Sequence, residues 1–212
     1  MPMKLGGSLA TLHERPVELL QNLLRFDTTN PPGNEAACIG YIDDVLTEAG
    51  FATMILARDE TRPNLVTRLA GQGHAPPLLM YGHVDVVTTE CQEWTYPPFG
   101  GTVADGYIWG RGTLDMKGAV AMMMAALMRA KAHNLAPPGD VVLAVVSDEE
   151  VRQAIRFAFR NLKLVAEPGG AVALAAVLAG KIDTRGKTTV VVISGGNVDS
   201  EMFAEIQKEA SG

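Results

Sequence analysis

Leu78-Leu79-Met80-Tyr81-Gly82-His83-Val84-Asp85 and Gly110-Arg111-Gly112-Thr113-Leu114-Asp115-Met116-Lys117-Gly118 decide how the first half of this 212-residue chain is read. The first stretch opens on an apolar run that predicts a buried strand, and it ends in a histidine and an aspartate. A loop rich in aromatics and glycine separates it from the second stretch, which runs into a strongly helical segment over 117–133. That segment is apolar almost all round and predicts a buried crossover helix, with its methionines as core filling. A second apolar strand, Val141–Val146, ends in Ser147-Asp148-Glu149-Glu150. One imidazole and several carboxylates thus stand where strands stop, which is where open α/β sheets place their sites.

Working outward, Val17, Leu20, Leu23 and Leu24 lie at helical spacing behind Pro16 and predict a helix over 12–26. Thr28-Thr29-Asn30-Pro31-Pro32-Gly33 breaks it into a loop. Asn34 is placed to cap a second helix that Gly50 stops. Residues 51–56 and 64–69 read as strands. Beyond 150, helices are predicted over 151–162 and 169–178, and a β-branched strand over 188–193. Ser194-Gly195-Gly196-Asn197 reads as a tight turn, followed by a last helix over 199–209. Alternating helices and apolar strands predict a layered α/β fold, its sheet largely parallel with helices on both faces. Residues 1–150 form the main domain in this reading, with 151–212 packed into it.

Composition narrows the function. With 47% hydrophobic and 20% charged residues the chain reads as an ordinary globular protein. Its net charge of −6 argues against a nucleic-acid surface, which needs a basic face. No apolar run suits a membrane span, and residues 1–10 lack the apolar stretch of a signal peptide. Two cysteines, Cys38 and Cys91, suggest a reducing compartment. The expectation is a cytoplasmic protein with neither nucleic-acid nor membrane partners.

A divalent metal needs deprotonated N and O ligands from different segments, and histidine with carboxylates is a zinc-type set. His83 is a natural first ligand. Asp85, two residues on, is placed to accept the other imidazole N–H and fix the tautomer. Asp115 precedes a helix and is placed to bridge two ions. Of Glu149 and Glu150, one can ligate while the other acts as general base on a metal-activated water. The same residues also have a plainer reading, with Asp115 as a helix cap and Glu149-Glu150 as first-turn carboxylates favoured by the helix dipole.

Here a family resemblance becomes specific. Gly82-His83-Val84-Asp85, the run from Trp109 to Gly118, and Asp148-Glu149-Glu150 resemble the motifs of the M20 metallopeptidases and amidohydrolases. The acetylornithine deacetylase and succinyl-diaminopimelate desuccinylase group is among them, and the similarity covers about 15–150. It implies an M20-type catalytic-domain fold without its lid or dimerisation domain. It further implies metal ligands His83, Asp115 and Glu150, catalytic residues Asp85 (orienting His83) and Glu149 (general base), and one or two zinc ions. The reaction implied is hydrolysis of an amide in an N-acyl amino acid or peptide by a metal-activated water.

After Glu150 the sequence departs from that pattern. The histidines are His13, His74, His83 and His133, so the family's late histidine ligand has no counterpart, and the further acidic ligand is not matched. Glu167-Pro168-Gly169-Gly170-Ala171 and the run from Ser194 to Asp199 resemble the C-terminal part of serine/threonine dehydratases, fold-type II pyridoxal-phosphate enzymes, over about 147–205. That resemblance implies Ser194 at the pyridine nitrogen of a cofactor. No lysine stands in a matching context and there is no phosphate loop, so pyridoxal phosphate is not expected. Both families carry a Val-Ser-Asp-Glu-Glu segment, present here at 146–150, and the chain reads as a chimera joined there. The expected function is an M20-type hydrolase whose incomplete ligand set leaves activity weak or absent. The alternative is an inert metal-binding or structural protein. An apolar sheet surface is expected to need cover from the C-terminal helices or from a second copy in a homodimer.

Overall fold

The computed structural model describes residues 8–30, 32–57, 60–146, 149–178, 184–186, 189–193, 196, 198 and 200–208. It divides into two compact units, Met1–Val146 and Ser147–Gly212.

In the first unit a 3₁₀ turn, Leu9–Glu14, is capped by Ser8, whose Oγ accepts from Ala10 N. Helix α1 (Pro16–Leu24) starts with proline at its first turn, where the missing N–H costs nothing. The expected single helix over 12–26 is therefore two elements. Helix α2 (Ala36–Glu48) is preceded by Glu35 rather than capped by Asn34. Strands β1 (Thr53–Leu56), β2 (Asn64–Leu69) and β3 (Leu78–His83) follow. Next come β4 (Thr102–Ala104) and β5 (Tyr107–Trp109), helix α3 (Lys117–Ala132) and β6 (Val141–Val146). The short β4–β5 hairpin lies in the stretch read as loop. Its signal is the Asp105-Gly106 pair, both at positive φ, as a tight hairpin turn requires.

The main sheet has the order β1-β2-β6-β3. Only β3 and β6 run parallel; β1–β2 and β2–β6 are antiparallel, so the sheet is mixed rather than largely parallel. The cause is connection length. Helix α3 provides the long crossover that a parallel pair needs, whereas the few residues between β1 and β2 can only reverse the chain. Register puts Leu65 and Thr67 of β2, Leu143 and Val145 of β6, and Met80 and Gly82 of β3 on one face. Leu65, Leu143 and Val145, with Met80 packed against them, join a core with Leu23 of α1, Ile39, Ile42 and Leu46 of α2, and Val120, Met124 and Met128 of α3. Helices of this unit thus cover one face, not two. The opposite face, with Leu79, Val142, Ala144 and Met54, runs from half-buried to exposed.

In the second unit, α4 (Glu149–Phe157) continues as a π turn, Ala158–Leu162, and stops at Lys163 in the left-handed region. Helices α5 (Pro168–Leu178) and α6 (Ser200–Lys208) complete it. Arg160 donates to Gln207 O at 2.7 Å at the end of α6, and Phe159 meets Phe203 edge-on at 5.1 Å. Residues 189–193 form no strand, contrary to expectation. Val190 and Val192 are exposed, and β-branched residues make a strand only where a neighbour completes the ladder. Ser194, Gly195 and Asn197 of the expected turn lie outside the described residues. Among the described residues no helix is long and apolar enough to cross a membrane.

Gly118 sits in the first turn of α3, where an added Cβ would meet Thr113 O at 2.2 Å. Alanine would gain about 1 kcal/mol of helix propensity. Displacing a backbone carbonyl in a packed loop costs roughly 1–3 kcal/mol. Gly118→Ala is therefore expected to lower the urea midpoint; a raised midpoint would contradict the close packing of this loop.

Candidate metal centre

Strand β3 ends at His83, so strand alternation does not carry Asp85. A buried strap does. Beyond β3 the chain at 84–86 pairs with residues 28–30: Val86 N donates to Thr28 O at 3.0 Å and Asn30 N to Val86 O at 2.8 Å. Thr28 Oγ1 donates to Val84 O at 2.5 Å. Asp85 is thus gripped on both sides in the chain, and Asn30 Nδ2 reaches its Oδ2 at 3.2 Å. The strap is anchored from α3, where fully buried Lys117 donates from Nζ to Phe26 O at 2.7 Å.

Asp115 comes from the loop before α3. Gly112 turns that loop at φ +87°, where a Cβ would also strike Val86 Cγ1 at 2.7 Å. Its carbonyl accepts from Lys117 N at 2.8 Å, and Thr113 Oγ1 donates to Gly110 O at 2.8 Å. The Asp115–Met116 peptide is cis. Met116 occupies the cap position of α3 and no side chain caps it, so the capping alternative for Asp115 is not realised.

These segments bring three predicted residues together. His83 Nε2 lies 3.2 Å from Asp115 Oδ1, on the open side. On the buried side Nδ1 faces Asp85, whose carbonyl oxygen lies at 3.2 Å and whose Oδ1 lies at 3.0 Å. The Oδ1 approach is an ion-pair contact, and that buried oxygen has no other donor among the described residues. Burial, the largest influence, pushes the His83 pKa down, but the hydrogen bonds and charges of Asp115 and Asp85 outweigh it and hold it well above 6.5. Asp85 moves the other way: burial pushes it up, yet His83, Asn30 and Arg62 together hold it below the usual carboxylate value. Asp115 is lowered chiefly by its hydrogen bond to His83.

The pair His83 Nε2 and Asp115 Oδ1 fits a divalent metal. With Nδ1 turned toward Asp85, Nε2 is the ring nitrogen left beside Asp115. A tetrahedral zinc with bonds near 2.1 Å separates adjacent ligands by roughly 3.4 Å, close to the 3.2 Å seen. Asp85 serves the opposite ring nitrogen, and among the described residues no group of three or more His, Cys, Asp or Glu is placed to hold one ion. Glu149 and Glu150 open α4, and their side chains lie outside what the structure describes. Sequence reasoning missed Asn30, Lys117 and the Glu35–Arg62 pair. In that pair the fully buried carboxylate of Glu35 accepts from Arg62 Nε at 3.2 Å and Nη2 at 3.3 Å. A buried-lysine signal was visible only as one charge at the start of an apolar helix.

A proton and a metal compete for Nε2, which fixes a pH dependence for the chelator-treated protein. Because folding raises the His83 pKa, the charged ring stabilises the fold fully below about 6.5, and that contribution fades as pH rises through the folded value. Asp115 is lowered, so its share fades only as pH falls through its own folded value. The urea-midpoint gap between wild type and Asp115→Asn should be widest near about pH 5.5 and shrink as pH rises through the folded His83 value. A gap that widens with pH would contradict a charged His83 between these carboxylates.

The chain matches the model of peptidase family M20/M25/M40 over residues 79–203. That match crosses 146–150 and covers most of the stretch resembling the dehydratases, and none of the relatives named next points to a dehydratase segment. The chain is 38% identical over 136 residues to a succinyl-diaminopimelate desuccinylase of Cereibacter sphaeroides, covering 64% of this chain and 35% of that one. To a probable succinyl-diaminopimelate desuccinylase of Staphylococcus aureus it is 35% identical over 154 residues, 72% of this chain and 35% of that one. It therefore spans about a third of the length of these relatives. Among solved structures, human carnosine dipeptidase 1 matches at TM-score 0.56 and 18% identity over 72% of this chain and 37% of that one. The Bacillus subtilis YXEP protein, a dinuclear metal binding peptidase from the M20 family, matches at TM-score 0.52 and 18% identity over 84% of this chain and 41% of that one. At such identities the likeness is one of fold. A family match over more than half of the chain, including the strand and loop that hold His83, Asp85 and Asp115, makes it a member of peptidase family M20/M25/M40.

Proposed function

We propose that this chain carries the metal-binding core of an M20-type amide hydrolase acting on N-acyl amino acids or peptides. The observation that carries the reading is the 3.2 Å approach of His83 Nε2 to Asp115 Oδ1, with Asp85 on the far side of the ring. His83 and Asp115 would hold the ion, with Glu150 as the third ligand and Asp115 free to bridge a second. Zinc suits an imidazole and carboxylates. When bound, it supplies a Lewis acid that activates water and polarises the amide carbonyl. Asp85 keeps the ring oriented, and Glu149 is the group to take and return the proton. N-succinyl amino acids are the first substrates to try, because the relatives are succinyl-diaminopimelate desuccinylases. Free Cys38 and Cys91 are consistent with the cytoplasm.

With three ligands rather than a full two-metal set, the chain as it stands should bind metal better than it turns over substrate. An inert metal-binding protein is the limiting case. Metal analysis after chelation and zinc reloading is expected to find stoichiometric zinc. His83→Ala and Asp115→Ala should each lose it by more than the roughly 10–100-fold that outer partners cost. No zinc in wild type, or zinc unchanged in both variants, would end the reading.

A second reading concerns residues 151–212. Their resemblance to dehydratases, with the 146–150 segment common to both families, supports a chimeric origin in which they supply scaffold rather than chemistry. The division of the fold between Val146 and Ser147, inside that segment, favours it; the family match through 203 weighs against it. In this reading, calorimetry of the metal-free protein should resolve two transitions. A single cooperative transition of the metal-free protein would refute it.

A further inference from the structure

We infer that Asn30 is a positioning residue for the His83 site: its amide holds the Asp85 carboxylate, which acts with the Asp85 carbonyl to set which nitrogen of the His83 ring carries the proton. The inference rests on the proposed metal site but is read from contacts that exist without metal. Asn30 is buried, and its backbone is bolted to Val86 one residue beyond Asp85. Its Nδ2 donates to Asp85 Oδ2 at 3.2 Å, leaving Oδ1 turned to His83 Nδ1 at 3.0 Å. Without that donor the carboxylate loses the hydrogen bond that sets its rotation, and Oδ1 is no longer held toward the ring. The strap is rigid enough to matter: Thr28 is buried on Val84 O, and Lys117 ties Phe26 O to the first turn of α3. Lys117 stands two residues from Asp115, so one buried network sets the places of both His83 and Asp115. The Thr28-Thr29-Asn30 stretch, which the sequence offers only as a helix-breaking loop, thereby acquires a task.

The test uses the full chain with Asn30→Leu, which keeps the branching and heavy-atom count and removes the donor, and Asn30→Ser, which withdraws the side chain without adding an apolar group. Thr67→Val is the control. It deletes another buried hydrogen bond, Thr67 Oγ1 to Ala52 O at 2.8 Å, far along β2. Long-range ¹H–¹⁵N spectra of the metal-free protein, above the pKa of His83, report the tautomer. Wild type and Thr67→Val should show His83 with the proton on Nδ1, and both Asn30 variants a shift toward Nε2. Zinc affinity should fall roughly 10–100-fold in the Asn30 variants and hold in the control. An unchanged tautomer in the Asn30 variants, or an equal change in Thr67→Val, would overturn the inference. Failure of wild type to bind zinc would remove the metal-site reading alone, because the tautomer comparison still decides the role of Asn30.

Discussion

A histidine held between two carboxylates, one buried and one open to solvent, is the interaction around which the first unit is arranged. The asymmetry gives it direction. Asp85 is sealed under the strap and serves Nδ1, while exposed Asp115 stands beside Nε2. A buried charge is costly unless its partners are fixed in place. Asp85 is therefore surrounded by groups that have little freedom: Asn30, the backbone on either side, and the nearby positive charge of Arg62. The same arrangement leaves one ring nitrogen directed outward, which is what a metal ligand requires.

Helix α3 is the second requirement. It makes the parallel pairing of β3 with β6 possible, packs over Gly82, and holds the Asp115 loop and the strap from the same end. An added Cβ at Gly82 would come within 2.8 Å of Val120, so the helix lies as close to the strand as glycine permits. Lys117 shows what this costs. A lysine with its charge buried is rarely tolerated, and here burial lowers its pKa while the ammonium is spent on a single carbonyl of the strap. Packing and chemistry meet at that residue, since moving it would release both the loop and the strap.

Membership of the M20/M25/M40 family accounts for the first unit in a way that neither the residues nor the geometry could alone. His83 and Asp115 stand together in one described site, and the match covers only 35% of the length of these relatives. The second unit is held by its own contacts, with Ile155, Leu174 and Ile206 buried and arginines closing the end of α6. Its helices need no metal to explain them.

From the sequence alone, periodicity located α2, α3, β2, β3 and β6 closely, because long apolar runs bounded by glycine and proline leave few alternatives. The motif residues His83, Asp85 and Asp115 were equally legible, since their types and spacing are chemical requirements. Strand direction was not legible: β2 lies antiparallel between β1 and β6 because of how connections close, which no local pattern records. Nor could the sequence distinguish the β-branched run at 189–193 from a strand, as a strand exists only when a neighbour completes its hydrogen bonds. Asn30, Lys117 and the Glu35–Arg62 pair were beyond reach for a related reason. Their partners lie 27 to 91 positions away in the chain. Chemistry of residue type is written locally, whereas the burial that makes one amide or one ammonium decisive arises only when distant segments close over it.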